Sequence, residues 1–179
     1  MPFRYINDFE DFNALSINGE ERAALIKLSN LSKETNVEYG QAISGDNLSR
    51  VFTSEDKSRV DIPNDVITMA NLHLMHSHTN VTPFSAKDFR HMCRENVVRI
   101  SVITGDDSIF SVSIGNGYRP DVNEFDEIVA NIRNRVDIEL LDHPDFFEWT
   151  PEERSYMAIR EQAYQIARYF EWNMEGGRA

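Results

Sequence analysis

The sequence predicts an α/β fold, a mixed β-sheet flanked by helices with two additional helices at its C-terminal end. Three observations predict it. Apolar residues recur at helical spacing near residues 19–32, 121–138 and 150–173, and two stretches read as strand, turn, strand around Gly45-Asp46-Asn47 and Gly105-Asp106-Asp107. The helical stretches also carry cap residues where caps are needed.

In the first helix, Asn18 can accept backbone hydrogen bonds as N-cap, Glu21 follows three residues on, and Ala24, Leu25, Leu28 and Leu31 form an apolar stripe. VEYGQAIS and LSRVFTS then flank a turn-prone triplet that tolerates positive φ, which places Glu38 on a strand. Pro63 and Asn64 punctuate the chain before a strand-like run from Met69 to His76. A helix is expected from Ser85 to Asn96, followed by the second hairpin, VVRISVIT and SIFSVSI. Phe125, Ile128, Val129, Ile132 and Val136 share one helical face over 121–138. Thr150, Pro151 and Glu153 open the last helix with a capping box; it is expected to reach about residue 173, with Gly176 and Gly177 ending it. The organisation read from this is an N-terminal lead (1–17), a core (18–118) and a C-terminal helical extension packed on it (119–179).

Composition narrows the function classes. With 41% hydrophobic residues over 179 positions, the chain has enough apolar surface to bury a core. Its net charge is −12, and residues 121–179 hold 14 acidic against 6 basic side chains, so a phosphate backbone should be repelled and no nucleic-acid partner is expected. No stretch approaches the roughly 18 apolar residues of a membrane span, and the start MPFRYINDFEDFN lacks the basic head and apolar run of a signal peptide. A soluble, cytoplasmic protein is the expectation. Cys93 is the sole cysteine, which excludes an internal disulfide and a cysteine-built zinc cage, so any metal must be held by histidine and carboxylate.

The segment MHSHTNVTPFSAKDF concentrates the chemistry. Residues i and i+2 of a strand project to the same side, so His76 and His78 can aim two imidazoles at one point. If Ser85 opens a helix, Asp88 lies one turn in and can add a carboxylate oxygen, making a His₂Asp set with one tetrahedral position open to water. Such a water needs a base, and Glu38 is the candidate.

With these residues in place the sequence resembles the JAMM (MPN+) zinc metallopeptidases, which carry a glutamate on an early strand, then H-x-H, a short loop, and S-x-x-D opening a helix. The resemblance covers roughly residues 18 to 115 and implies that fold, Zn²⁺ as cofactor, and a protein or peptide substrate cut at a peptide or isopeptide bond. It further implies Glu38 as general base, His76, His78 and Asp88 as zinc ligands, and Ser85 as the hydroxyl steadying the oxyanion. The loop length and the Phe84-Ser85 pair look closest to JAMM-like domains of bacteriophage head-morphogenesis proteins and bacterial polymorphic toxins. Thr79 stands where most members have proline, which leaves the loop less rigid, and the His-to-Ser loop is one residue shorter than in deubiquitinase-type members.

Each residue also has an ordinary reading. Two histidines on a strand are often only hydrogen-bonded, Ser85-x-x-Asp88 is a standard helix start, and Glu38 competes with Glu34 four residues earlier, although the flanking Gly40 favours Glu38. His73 alternates to the face opposite His76, His91 is expected to face outward, His143 precedes a proline, and Cys93 reads as a small buried hydrophobe. A second function class is a non-enzymatic interaction or assembly module on the same scaffold, docking a protein partner through the acidic C-terminal helices. Zinc-dependent nucleobase deamination expects H-x-E and a later cysteine pair, which one cysteine cannot supply.

Overall fold

The computed structural model describes residues 12–179; most of the N-terminal lead, residues 1–11, lies outside the described residues. In chain order the elements are β1 (Asn13–Ala14), α1 (Gly19–Thr35), β2 (Tyr39–Ser44), β3 (Asn47–Leu48), β4 (Phe52–Thr53), α2 (Asn64–Ile67), β5 (Leu72–Ser77), α3 (Ala86–Arg90), β6 (Val97–Ile103), β7 (Ser108–Ser113), α4 (Val122–Leu141), α5 (Pro151–Tyr169) and β8 (Asn173–Arg178). The strands form one mixed sheet ordered β1-β8-β7-β6-β5-β2-β3, with β4 also on β2. The pairs β5–β6 and β1–β8 are parallel and the others antiparallel. Helices on both faces of a mixed sheet are the α/β class that the sequence predicts.

Period-two alternation on the central strands sorts side chains to two apolar layers. Met75, Ile103 and Ile109 meet Ala24, Leu25 and Leu28 of α1. On the opposite face Leu72, Leu74, Ile100 and Val102 belong to the larger core, with Phe89 of α3, Phe125 and Ile132 of α4, and Ala163 and Ile166 of α5. The predicted capping box of α1 forms, with Asn18 Oδ1 accepting from Glu21 N at 2.9 Å, and the helix runs three residues past its predicted end to a C-cap at Asn36, which tolerates its positive φ of 57°. The first hairpin turns at Gly45, whose φ is +59°, pairing Ser44 with Asn47.

Several elements differ from the sequence expectation, among them the strand expected over LSRVFTS, which is broken into the two-residue pieces β3 and β4. The α3 helix stops at Arg90 and tightens into a 3-10 turn, His91–Cys93, because Arg94 must turn extended (ψ 133°) for β6 to start at Val97. The strand expected from Met69 starts only at Leu72; a one-turn helix, α2, and a bend precede it, with the Asn96 side-chain amide donating to the carbonyls of Ile67 and Met69. At the C-terminus the helix ends at Tyr169 and residues Asn173–Arg178, with Gly176 and Gly177 inside them, form a strand between β7 and β1. The glycines there do not end a helix: a Cβ at Gly177 would lie 3.2 Å from the Leu15 Cβ, so the bare backbone permits the close approach of the chain beside β1. Among the described residues no helix is long and apolar enough to cross a membrane.

Candidate metal centre

Strand β5 is buried along its whole length between β2 and β6. His78 lies one residue beyond it, and its N–H donates to the Ile103 carbonyl at 2.8 Å, so the extended backbone continues and both imidazoles emerge on the α3 side. Their Nε2 atoms are 3.0 Å apart. Ser85 caps α3 and Asp88 occupies its third position, closing a capping box in which the Ser85 N–H donates to Asp88 Oδ2 at 2.7 Å. This fixes the carboxylate with Oδ1 3.1 Å from His76 Nε2 and Oδ2 3.5 Å from His78 Nε2. Two ligands at about 2.0–2.1 Å from a tetrahedral cation lie about 3.3 Å apart. The spacing between the two Nε2 atoms and that from His76 to Asp88 Oδ1 lie close to that value, and one ligand atom from each residue falls within 4.8 Å of the others, so the three side chains are near enough to share one small divalent ion.

The tautomer fits as well. His78 Nδ1 is 2.7 Å from the Thr82 carbonyl oxygen, which only accepts, so Nδ1 carries the hydrogen and a neutral ring presents its Nε2 lone pair to the centre. Burial raises the Asp88 carboxyl, but His76 and His78 outweigh it and hold the group well below the usual carboxylate range. For His78, burial works against the charged ring, while the Asp88 carboxylate first and Glu38 after it prevail and lift its pKa above the ordinary 6.5. The Ser85 hydroxyl donates to Asp88 Oδ2 at 2.9 Å, so its hydrogen is engaged by the carboxylate, and contact with an oxyanion requires it to turn away.

Glu38 stands immediately before β2, one residue short of the strand on which its sequence places it. Its N–H donates to the Asp56 carbonyl at 2.8 Å and its carbonyl accepts from the Thr53 hydroxyl at 2.7 Å, which pins the backbone on both sides. A Cβ at Gly40, two residues on, would collide with the Phe52 ring, so glycine there lets β4 close over β2. The Glu38 side chain is only 5% exposed, lines the cavity that holds His76, His78 and Asp88, and has no side-chain hydrogen bond among the described residues. Burial pushes its pKa up, opposed by His78 and His76. Its oxygens are not sealed off, because Gln41 Oε1 is the one fully buried side-chain oxygen or nitrogen without a partner among the described residues, so the Glu38 carboxylate opens onto the cavity. Glu34, the competing residue, is exposed on the last turn of α1 and does not line the cavity.

The cavity has a volume of about 860 Å³. His91, expected to face outward, lines it: it follows Asp88 by three residues, a spacing that puts both on one helical face. That spacing is the signal in the sequence that points His91 to the centre. Cys93 is half-buried at the same cavity, and burial followed by Asp126 pushes its thiol up to about 11, so it is no thiolate near neutrality. His143 packs its ring on Trp149, 4.6 Å between centroids.

His73 faces α1, as its position predicts, in a network of its own. Its Nε2 is 2.8 Å from Ser101 Oγ and its Nδ1 3.4 Å from Glu21 Oε1, while Ser111 links Ser101 to Arg99, which pairs with Glu175 at 2.9 Å. Burial depresses the His73 pKa despite Glu21, and the hydrogen bond from His73 depresses that of Glu21 against its own burial. As pH falls below 6.5, the unfolded chain takes up a proton that buried His73 refuses; as it falls on through 4.5 toward the depressed Glu21 pKa, that carboxylate's stabilisation is lost too. Both signs agree for this pair, whereas the raised pKa of His78 acts in the opposite sense and is common to parent and variant, so between pH 7 and 5 the Tm of His73→Gln protein should rise relative to its parent by a few degrees. Equal pH slopes for the two proteins would assign the loss elsewhere.

Comparison with known proteins yields no relative: no protein-family model matches the chain, nor does any curated protein or solved structure.

Proposed function

We propose that the protein is a JAMM-type metallohydrolase that cleaves a peptide or isopeptide bond, with Zn²⁺ held by His76, His78 and Asp88 and Glu38 as general base. The observation that carries this reading is a carboxylate, Glu38, that opens without a hydrogen-bond partner onto the same cavity as three donors close enough to share one cation. The order in which α1, Glu38, the β2–β3 hairpin, the histidine-bearing β5, the serine-capped α3 and β6 follow one another supports the family assignment. A nitrogen and oxygen donor set with three protein ligands suits a catalytic zinc.

A zinc ion held by His76, His78 and Asp88 would supply Lewis acidity and make water more acidic. Glu38 accepts the proton of the attacking water and delivers it to the leaving nitrogen: a C–O bond forms at the carbonyl carbon, the C–N bond breaks, and one water is consumed. Its raised pKa suits both halves of that transfer. Thr82, through His78, and Ser85, through Asp88, hold the donors in orientation, and Ser85 is also the hydroxyl nearest to hand for a developing oxyanion.

The test is metal-dependent proteolysis. Zinc-loaded protein incubated with a mixture of denatured proteins should generate new amino termini, lose that ability with a zinc chelator and regain it when zinc is returned. Termini that survive chelation, or none at any metal load together with lysine-linked isopeptide conjugates left uncut, would exclude the hydrolase. In that event an assembly module is the reading to pursue, because Ile138, Leu141 and Phe147 around the end of α4 are 65%, 54% and 81% exposed.

A further inference from the structure

We infer that the cavity beside the metal centre selects an extended peptide segment in which a large apolar side chain is flanked by carboxylates, a substrate class that rests on the hydrolase reading of the same site. The net charge of the chain is −12, yet this cavity is lined by Arg59, Lys87, Arg90 and Arg94. The acids among its lining are Glu38, Asp61 and Asp88, and two of these belong to the centre, where a divalent cation offsets them. Arg59 is paired with Asp61 at 3.3 Å and Arg90 with Asp126 at 3.2 Å. Lys87 and Arg94 are both exposed and have no ion-pair partner among the described residues. They flank His91 on the α3 side, Lys87 within the field of Asp56 but not ion-paired to it, and place basic side chains beside the ligands of an otherwise acidic molecule.

The interior of the cavity is of the opposite character. Leu74 of β5 and Ile100 of β6 line it from the sheet, Ile62 and Ile67 from around α2, and Ile159 from α5. An aliphatic interior with charges at the lip recognises a side chain by burial and its neighbours by charge. At about 860 Å³ it lies near the top of the ~300–1,000 Å³ range of ligand pockets, room for several residues of an extended chain. Nucleic acid fits poorly: among the described residues Phe52 is the only Phe, Tyr or Trp in the lining, which offers no series of rings for bases to stack on, and the net charge of the chain repels phosphate. Ile159 and Val122 also give the C-terminal helices a direct part in the site, as one wall of the substrate cavity.

Binding can be read without turnover. Zinc-loaded Glu38→Gln protein is immobilised, exposed to a random dodecapeptide library, and the retained peptides are sequenced. Asp or Glu next to Leu, Ile, Met or Phe should be enriched, and the Lys87→Glu/Arg94→Glu protein should retain those peptides about tenfold less well. Both positions are exposed, so the double variant should keep its fold, and Lys87→Ala/Arg94→Ala provides the milder comparison. A retained set without acidic enrichment, no retention at all, indifference to charge reversal, or stronger retention of a single-stranded oligonucleotide would each overturn the assignment. Treating retained peptides with the Glu38 protein separates the two proposals: acidic-apolar peptides that bind but stay intact contradict the hydrolase alone, whereas cleavage without acidic preference contradicts the substrate class alone.

Discussion

Glu38→Gln should retain zinc at the parent level and lose about a thousandfold of hydrolytic rate, the middle of the ~10²–10⁴ range for a positioned general base. Glutamine has the same shape and can still be pinned through its backbone to Asp56 and Thr53, so the donors at His76, His78 and Asp88 keep their positions. What it cannot do is accept a proton. The same change should leave the metal-free protein as stable as its parent or better near neutrality. Burial lifts the Glu38 pKa above 4.5, so an ionised carboxylate there costs stability above that pH, and the cost vanishes below it. A gain on the order of 1 kcal/mol, a few degrees in Tm, that disappears toward pH 4 is the expected signature of a residue kept for chemistry rather than packing. Steady-state cleavage, zinc content and a pH series of melting curves measure the three quantities together; full activity in the Gln protein would remove Glu38 from the mechanism.

Asp88→Asn should weaken zinc binding by at least about a hundredfold, since loss of even an outer-shell partner of a ligand costs ~10–100-fold. The substitution keeps an oxygen that can accept from the Ser85 N–H, so the capping box and α3 should survive. It removes the anion that faces both imidazoles. In the metal-free protein the depressed Asp88 pKa means stabilisation present above 3.8 and lost as pH falls through the folded value, so Asn should also cost about 1–2 kcal/mol near neutrality. Competition with a chromophoric chelator gives the affinity and thermal melting the stability. Unchanged affinity would mean that Asp88 is a helix cap and nothing more.

The centre was legible in the sequence because each of its parts has a short-range signal. The i, i+2 spacing of His76 and His78 needs only a strand, and the Ser85-to-Asp88 spacing needs only a helix start, so local geometry brings the three donors together. Glu38 was harder, because nothing local separates it from Glu34; the choice is made by β2 crossing beside β5, which pairs Gly40 with His76. His91 faces the centre because it follows Asp88 by three residues and so shares its helical face, a spacing that the expectation of an outward ring overlooks. Strand β8 was missed for a tertiary reason. NMEGGR has weak strand propensity, and what makes it a strand is hydrogen bonding to β7 on one side and β1 on the other, about 160 residues apart in the chain from its partner Asn13.

The central claim is that one divalent cation sits among His76, His78 and Asp88 with Glu38 beside its open position. X-ray diffraction from crystals of zinc-loaded protein, recorded on either side of the zinc absorption edge, tests it most directly. A single anomalous peak about 2.0–2.2 Å from both Nε2 atoms and one Asp88 oxygen, with the Glu38 carboxylate facing it across a water, is the result predicted here. No peak, with the two imidazoles still hydrogen-bonded to each other and to Asp88, would contradict it.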